Sequence, residues 1–257
     1  MRTRREFLRA GGKALAAGAL VGGTFSAGVS AASETIDDAT PDHVTRTYEP
    51  DLLNRYKPRL VLRDLGTNTP TALYSFVARS TEFDDTVLVY WAEYPFQKGV
   101  ALGYDSHWGD HEPIYVRVNE TTDEIVDVAF SAYHWLRGWS RSPPTVLGDS
   151  EGAVHPTLHV VNPWHHYYLT AEEGQDVDLE HLSDDEMQAW WDNGWDDAIY
   201  LRSLTQPWVM TGFGGRSDWW HNTVGSFSYE AGLRRYVYPL VYGAGEGVSL
   251  DDLDIEL

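Results

Sequence analysis

The chain has no cysteine among its 257 residues. No disulfide can staple it, so its folded form must hold together through a buried core. Lysine is almost as scarce, with only Lys13, Lys57 and Lys98. Basic residues number 19 against 39 acidic ones, a formal charge of −20, which argues against a nucleic-acid partner. Past the N-terminal leader, no apolar run approaches the roughly 18–20 residues that span a bilayer. The sequence also lacks a P-loop, an H-E-x-x-H helix and any thiol nucleophile. Those absences remove the common nucleotide-binding, zinc-peptidase and thiol-hydrolase signatures.

What is present begins with the leader. Thr3-Arg4-Arg5-Glu6-Phe7-Leu8 precedes a Gly- and Ala-rich apolar run ending near Ser30-Ala31-Ala32. This is the pattern of a twin-arginine export signal over residues 1–32, and it predicts an extracellular or cell-surface protein. Removing that segment takes away Arg2, Arg4, Arg5, Arg9, Lys13 and Glu6, so the charge of −20 becomes −24. Such a surface repels itself in dilute buffer but not at molar salt, where the Debye length is about 3 Å. No single acidic block dominates, so the charge reads as a general, halophilic surface rather than a site for a basic partner.

About 225 residues remain after the signal, enough for one large core and most simply one domain. The expected division is a flexible acidic leader over 33–50, a folded domain over 51–247 and an acidic tail over 248–257. Short β-branched and aromatic runs fill the domain: 59–64, 72–80, 86–96, 112–119, 124–133, 155–162 and 236–242. Turn residues separate them, which predicts an all-β-dominated fold. The four residues ETTD between the runs 112–119 and 124–133 predict an antiparallel hairpin, and Asn119-Glu120-Thr121 at its tip is a glycosylation sequon. One segment differs: Ser183 and Glu186 stand at capping-box spacing ahead of Met187, Trp190, Trp191 and Ala198. That spacing predicts a single peripheral amphipathic helix near 183–203, its aromatic stripe packed on the sheet.

The candidate chemistry lies in DSHWGDHEPIYVRV, residues 105–118. Ile114, Val116 and Val118 alternate with Tyr115 and Arg117, so the strand has one buried face, and Asp110 and Glu112 share its parity. Two carboxylates on an inner face need partners. A cation is one answer; Arg117, Arg137 or Arg141 is another. Seven of the ten histidines fall between residues 107 and 166: His107, His111, His134, His155, His159, His165 and His166. One imidazole with two carboxylates suits Ca²⁺, Mg²⁺ or Mn²⁺, whereas three imidazoles suit Zn²⁺. His107, Asp110 and Glu112 are the tightly spaced set.

His107-Trp108-Gly109-Asp110-His111-Glu112 resembles, in its H-x-x-D-x-E skeleton, the G-H-R-H-D-W-E heptapeptide of the necrosis- and ethylene-inducing-like proteins. VLVYWAEYPFQKG upstream looks like that family's Y-x-W-Y-x-P-K-D strand, residues 112–135 look like its following hairpin, and HPTLHVVN looks like its next strand. The likeness covers residues 59–171 and extends to a vacuolar-sorting-associated group that shares the hairpin and the H-P strand. It implies an antiparallel β-sandwich of lectin-like or cytolysin-like type, here in an exported haloarchaeal form. It also implies that His107, Asp110 and Glu112 ligate a divalent cation, most simply Ca²⁺ or Mg²⁺, that helps hold a sugar head group of a membrane lipid. Gln97 stands where the family has an acidic ligand, with Asp105, Glu93 and His159 as further candidate ligands. His111 replaces the family's Trp.

Two functional readings follow. In the first, the protein binds a surface glycan or glycolipid head group through a cation, with peripheral membrane contact, and Trp108, His134 and Trp135 lie near the sugar. In the second it is an exported metal-dependent hydrolase, with His107, His111 and His159 on Zn²⁺ and Glu112 or Asp110 as general base. A structural or interaction domain with no site is the third.

Overall fold

The computed structural model describes residues 35–63, 65–97, 107–133, 136–192 and 203–211, with the side chains of 107, 108, 133, 136, 137, 191, 192 and 211 outside that description. The signal segment, Asp105, His134, Trp135, the run 236–242 and the acidic tail therefore lie outside the described residues.

Two sheets form the body. The larger contains β1 (Val44–Thr47), β3 (Ala72–Ser80), β4 (Thr86–Gln97), β5 (His107–Asn119), β6 (Glu124–Tyr133) and β7 (Leu136–Ser140) in the order β1-β3-β4-β5-β6-β7. A further strand, β11 (Leu179–His181), runs parallel to β3. The smaller sheet has β10 (Tyr167–Leu169), β9 (Val154–Val160) and β2 (Arg59–Val61), with β8 (Thr145–Leu147) paired to β9. Among the described residues every ladder is antiparallel except β11 with β3 and β2 with β9. The all-β sandwich predicted from sequence is the observed architecture.

Residues of one parity on β3 to β6, among them Leu73, Leu88, Tyr90, Ile114, Val116 and Phe130, form one core with Leu158 and Val160 of β9 and Leu53 and Tyr56 of a short helix α2 (Pro50–Tyr56). This is the interior between the sheets. The opposite parity is buried too, which sequence alternation did not predict. Phe76, Val89, Trp91 and Tyr115 pack under Ile36 of α1 (Ile36–Ala39), Met187 and Trp190 of α3 (Asp184–Asp192), and Trp208 of a 3₁₀ turn (Pro207–Thr211). The larger sheet is thus the middle of three layers, and its central strands read as near-continuous apolar runs because neither face meets water.

Two expectations need correction. Residues 35–50 are not a flexible leader: β1 pairs with β3 from Val44↔Ser80 to Thr47↔Val77, and Ile36 is buried under a capping box made by Thr35 and Asp38. Likewise the stretch 141–152, which holds none of the runs read as strands, contains β8, an edge strand too short and exposed to carry a period. The helix expected near 183–203 is seen as α3, started by Ser183 Oγ accepting from the Glu186 amide at 3.2 Å, with residues 193–202 outside the description.

Candidate functional site

The β4–β5 ladder keeps one register from Thr86↔Val118 to Gln97↔His107. It sets Asp110 opposite Tyr94 and Glu112 opposite Ala92, both on the parity that faces the smaller sheet. Each carboxylate residue is only 7% exposed, so each needs a polar partner. Gly109 has φ +70 between them and His107. A left-handed residue breaks the period-2 alternation, so the parity of Asp110 does not dictate that of residues 107 and 108.

The partners come from the turn between β9 and β10. The His165 amide donates to the Val161 carbonyl at 2.8 Å and the Val161 amide to the His166 carbonyl at 2.8 Å, closing the turn. His165 has φ +59. Consecutive residues in an extended strand face opposite ways, and the left-handed step at His165 lets both imidazoles reach the same strand of the other sheet. His165 Nδ1 lies 2.6 Å from Asp110 Oδ2, and His166 Nδ1 lies 3.2 Å from Glu112 Oε1 and 3.1 Å from Ser131 Oγ.

Asn68 fixes the tautomer of His165. Its Nδ2 donates to the Phe96 carbonyl at 2.7 Å and lies 2.8 Å from His165 Nε2. An amide NH₂ only donates, so Nε2 accepts and Nδ1 carries the proton given to Asp110. Tyr94 stacks on the His165 ring at 3.9 Å and 5°. The Tyr167 hydroxyl donates to the Glu112 carbonyl at 3.2 Å and lies 3.4 Å from the Tyr94 hydroxyl. Burial pushes both tyrosines well above the ordinary phenol range, so they remain hydrogen-bond donors. The result is two buried carboxylates on one strand face, Asp110 hydrogen-bonded to His165 and Glu112 close to His166, whose Nδ1 bonds Ser131 Oγ.

Other sequence candidates lie elsewhere. Glu93 pairs in register with His111 on the opposite parity and accepts from Thr71 Oγ1 at 2.7 Å, away from the carboxylate face. His111 lies against Trp190 at 4.3 Å, under α3. His159 stacks on Tyr168 at 4.6 Å, on the face of β9 opposite Leu158 and Val160. Glu93 and His159 are therefore not brought to Asp110 and Glu112, and His111 and His159 of the Zn²⁺ set are held apart. Two of the three candidate arginines are engaged elsewhere: Arg117 binds Asp127 and Asp85, and Arg141 lies 5.0 Å over the Trp139 ring, while the side chain of Arg137 lies outside the described residues. The backbones of His107 and Trp108 continue β5 opposite Gln97 and Phe96. Asp105, His134 and Trp135 lie outside the described residues.

Sequence reasoning counted His165 and His166 among the clustered histidines but gave them no part in the site. The one signal was a doublet right after Asn-Pro-Trp, where a turn can place two neighbours on one side. Among the described residues, no three His, Asp or Glu converge as a ready metal cluster. Asp110 and Glu112 nevertheless fit a hard cation: they supply carboxylate oxygens, and Asp110 is held by an outer hydrogen bond from His165 of the kind that orients metal ligands. His107 and Asp105, the further ligands expected from sequence, have side chains outside the described residues.

No protein-family model matches the chain, and no curated protein matches it. Among solved structures it is similar to necrosis and ethylene inducing protein 2 from the causal agent of cocoa's witches' broom disease, at 18% identity over 60% of this chain and 84% of that one, TM-score 0.42. It is similar to the protein NLPPya in complex with glucosamine, at 17% identity over 68% and 97%, TM-score 0.46. A third is the non-toxic HaNLP3 protein, at 20% identity over 47% and 56%, TM-score 0.34. Likeness at this level concerns the fold and assigns no activity. The solved structures that this fold resembles belong to the same necrosis- and ethylene-inducing-like group that the H-x-x-D-x-E motif resembles.

Proposed function

We propose that this is an exported, divalent-cation-dependent binder of a surface glycan or glycolipid head group, in peripheral contact with a membrane. The observation that carries the reading is the pair Asp110 and Glu112, buried on one strand face with the imidazoles of His165 and His166 against them. His107, Asp110 and Glu112 are the ligands we assign to Ca²⁺, Mg²⁺ or Mn²⁺, with Asp105 as an additional donor. Such an ion accepts sugar hydroxyl oxygens in its remaining coordination positions. Trp108, His134 and Trp135 are assigned to the sugar, where aromatic faces pack against the apolar side of a pyranose. Twin-arginine export is the route we infer for it.

The hydrolase reading has no such support, since His111 and His159 rest on Trp190 and Tyr168 instead of beside the carboxylates. The test is the metal content of the mature chain purified at molar salt, with its melting temperature measured with and without chelator, for the native protein and Asp110→Ala. A stoichiometric Ca²⁺, Mg²⁺ or Mn²⁺ and a chelator-sensitive melting point in the native protein alone are the expected result. No bound metal and no response to chelator would overturn the reading. Glucosamine is the first sugar to titrate, because a protein of similar fold is in complex with it.

A further inference from the structure

The far end of β5 carries a second feature that the glycan-binding reading does not use. Asn119, the last residue of the strand, pairs with Glu124 across a four-residue tip. With Glu120 and Thr121 it forms the chain's sole N-x-S/T sequon. The Asn119 Oδ1 accepts from the amides of Thr121 and Thr122, at 2.9 and 3.2 Å. These bonds hold the carboxamide with its oxygen against the turn, and no hydrogen bond among the described residues engages its Nδ2. Thr121 and Thr122 are exposed. The middle residue, Glu120, is drawn aside by Arg79 and Thr86. The tip is anchored from below by Arg55, whose Nη1 lies 2.8 Å from Asp123 Oδ1.

Accessibility in the folded state matters because the twin-arginine route carries proteins across the membrane already folded. An enzyme that glycosylates such a protein outside the cell meets the finished surface, so a sequon buried by the fold would be silent. This one stands on a hairpin tip. It also stands nine positions along the strand from Asp110, roughly 30 Å at the usual rise, so a glycan there leaves the carboxylate end clear.

We propose that Asn119 is a site of N-linked glycosylation, a proposal that rests on the export part of the reading above. The reaction joins Asn119 Nδ2 to the anomeric carbon of a lipid-linked oligosaccharide phosphate. The carbon–oxygen bond to phosphate breaks, the lipid phosphate leaves with the electron pair, and Nδ2 gives up one proton. The Thr121 hydroxyl is the group the transferase reads.

The test is to express the full chain in an archaeal host that both exports by the twin-arginine route and attaches N-linked glycans. Extracellular and cellular fractions are separated, and the mass of the peptide holding Asn119 is measured. The expected result is an extracellular protein whose Asn119 peptide is heavier by at least one glycosyl residue. That increment should vanish in Thr121→Ala and persist in Thr121→Ser, which keeps both the hydroxyl and the turn. Extracellular protein with unmodified Asn119, or an increment that survives Thr121→Ala, overturns the proposal and leaves export standing. Protein found only in the cellular fraction overturns export and this proposal with it.

Discussion

Strand β5 takes part in burying carboxylates at two places, and the two are solved differently. Toward its C-terminal half, Asp127 of β6 is fully buried and met by the Arg117 guanidinium, whose Nε lies 3.1 Å from Oδ2, while Asp85 takes Nη1 at 3.0 Å. Toward its N-terminal half, Asp110 and Glu112 are met by imidazoles. A guanidinium always carries charge and neutralises its partner in place; a hydrogen-bonding imidazole orients a carboxylate without having to neutralise it. The first arrangement is complete as a structural unit. The second puts two carboxylates on one strand face, the donor set that the proposed cation site would use.

The largest expected effect comes from breaking the complete unit. Arg117→Met leaves Asp127 buried without its countercharge and should cost about 3–5 kcal/mol, read as a large drop in melting temperature. Burial already pushes Asp127 above the ordinary carboxylate range despite Arg117. Acid should therefore partly rescue the variant, because protonation removes the stranded charge.

Chelation should act on the other unit alone. If the cation stands at a hundred times its dissociation constant, removing it takes away about 2.7 kcal/mol. The native protein should lose that increment and Asp110→Ala should not, while Arg117→Met should remain chelator-sensitive. Next in size is Asn68→Ala, which removes the group that sets the His165 tautomer. Calorimetric titration should give a cation affinity weaker by about 10- to 100-fold, with Asp110 and Glu112 both intact.

The smallest effect belongs to the surface counterpart of these pairs. Glu49 and Glu120 both bond Arg79, and those bonds hold their carboxyls below the ordinary range. A depressed carboxyl contributes stability that is present above its unfolded value near 4.5 and is lost as pH falls through the folded one. Their side chains are 38% and 41% exposed, so after solvent screening Arg79→Ala should cost at most about 1 kcal/mol at neutral pH. Native and variant melting points should converge in acid.

Much of the fold could be read from the chain. Residues 72–80, 86–96 and 124–133 are β-branched and aromatic enough to declare strands, and they are β3, β4 and β6. The even parity of Asp110 and Glu112 with Ile114 put both carboxylates on the inner face, where they are found. β1, β8, β10 and β11 escaped notice because strands of three or four residues carry too few side chains to display a period. Their pairing partners, not their composition, make them strands.

The sequence by itself determined the strand-rich core, the acidic balance, the absence of disulfides and the placing of Asp110 and Glu112 on one face. These are local properties, set by composition and by a period of two. Only the tertiary structure decided who meets those carboxylates. His165 and His166 lie more than fifty residues downstream, and one left-handed step at His165 turns both inward. The same packing carries His111 under α3 and His159 to the far face of β9. Side chains that cluster in sequence are separated in space because the two faces of a sheet lie only one residue apart along the chain.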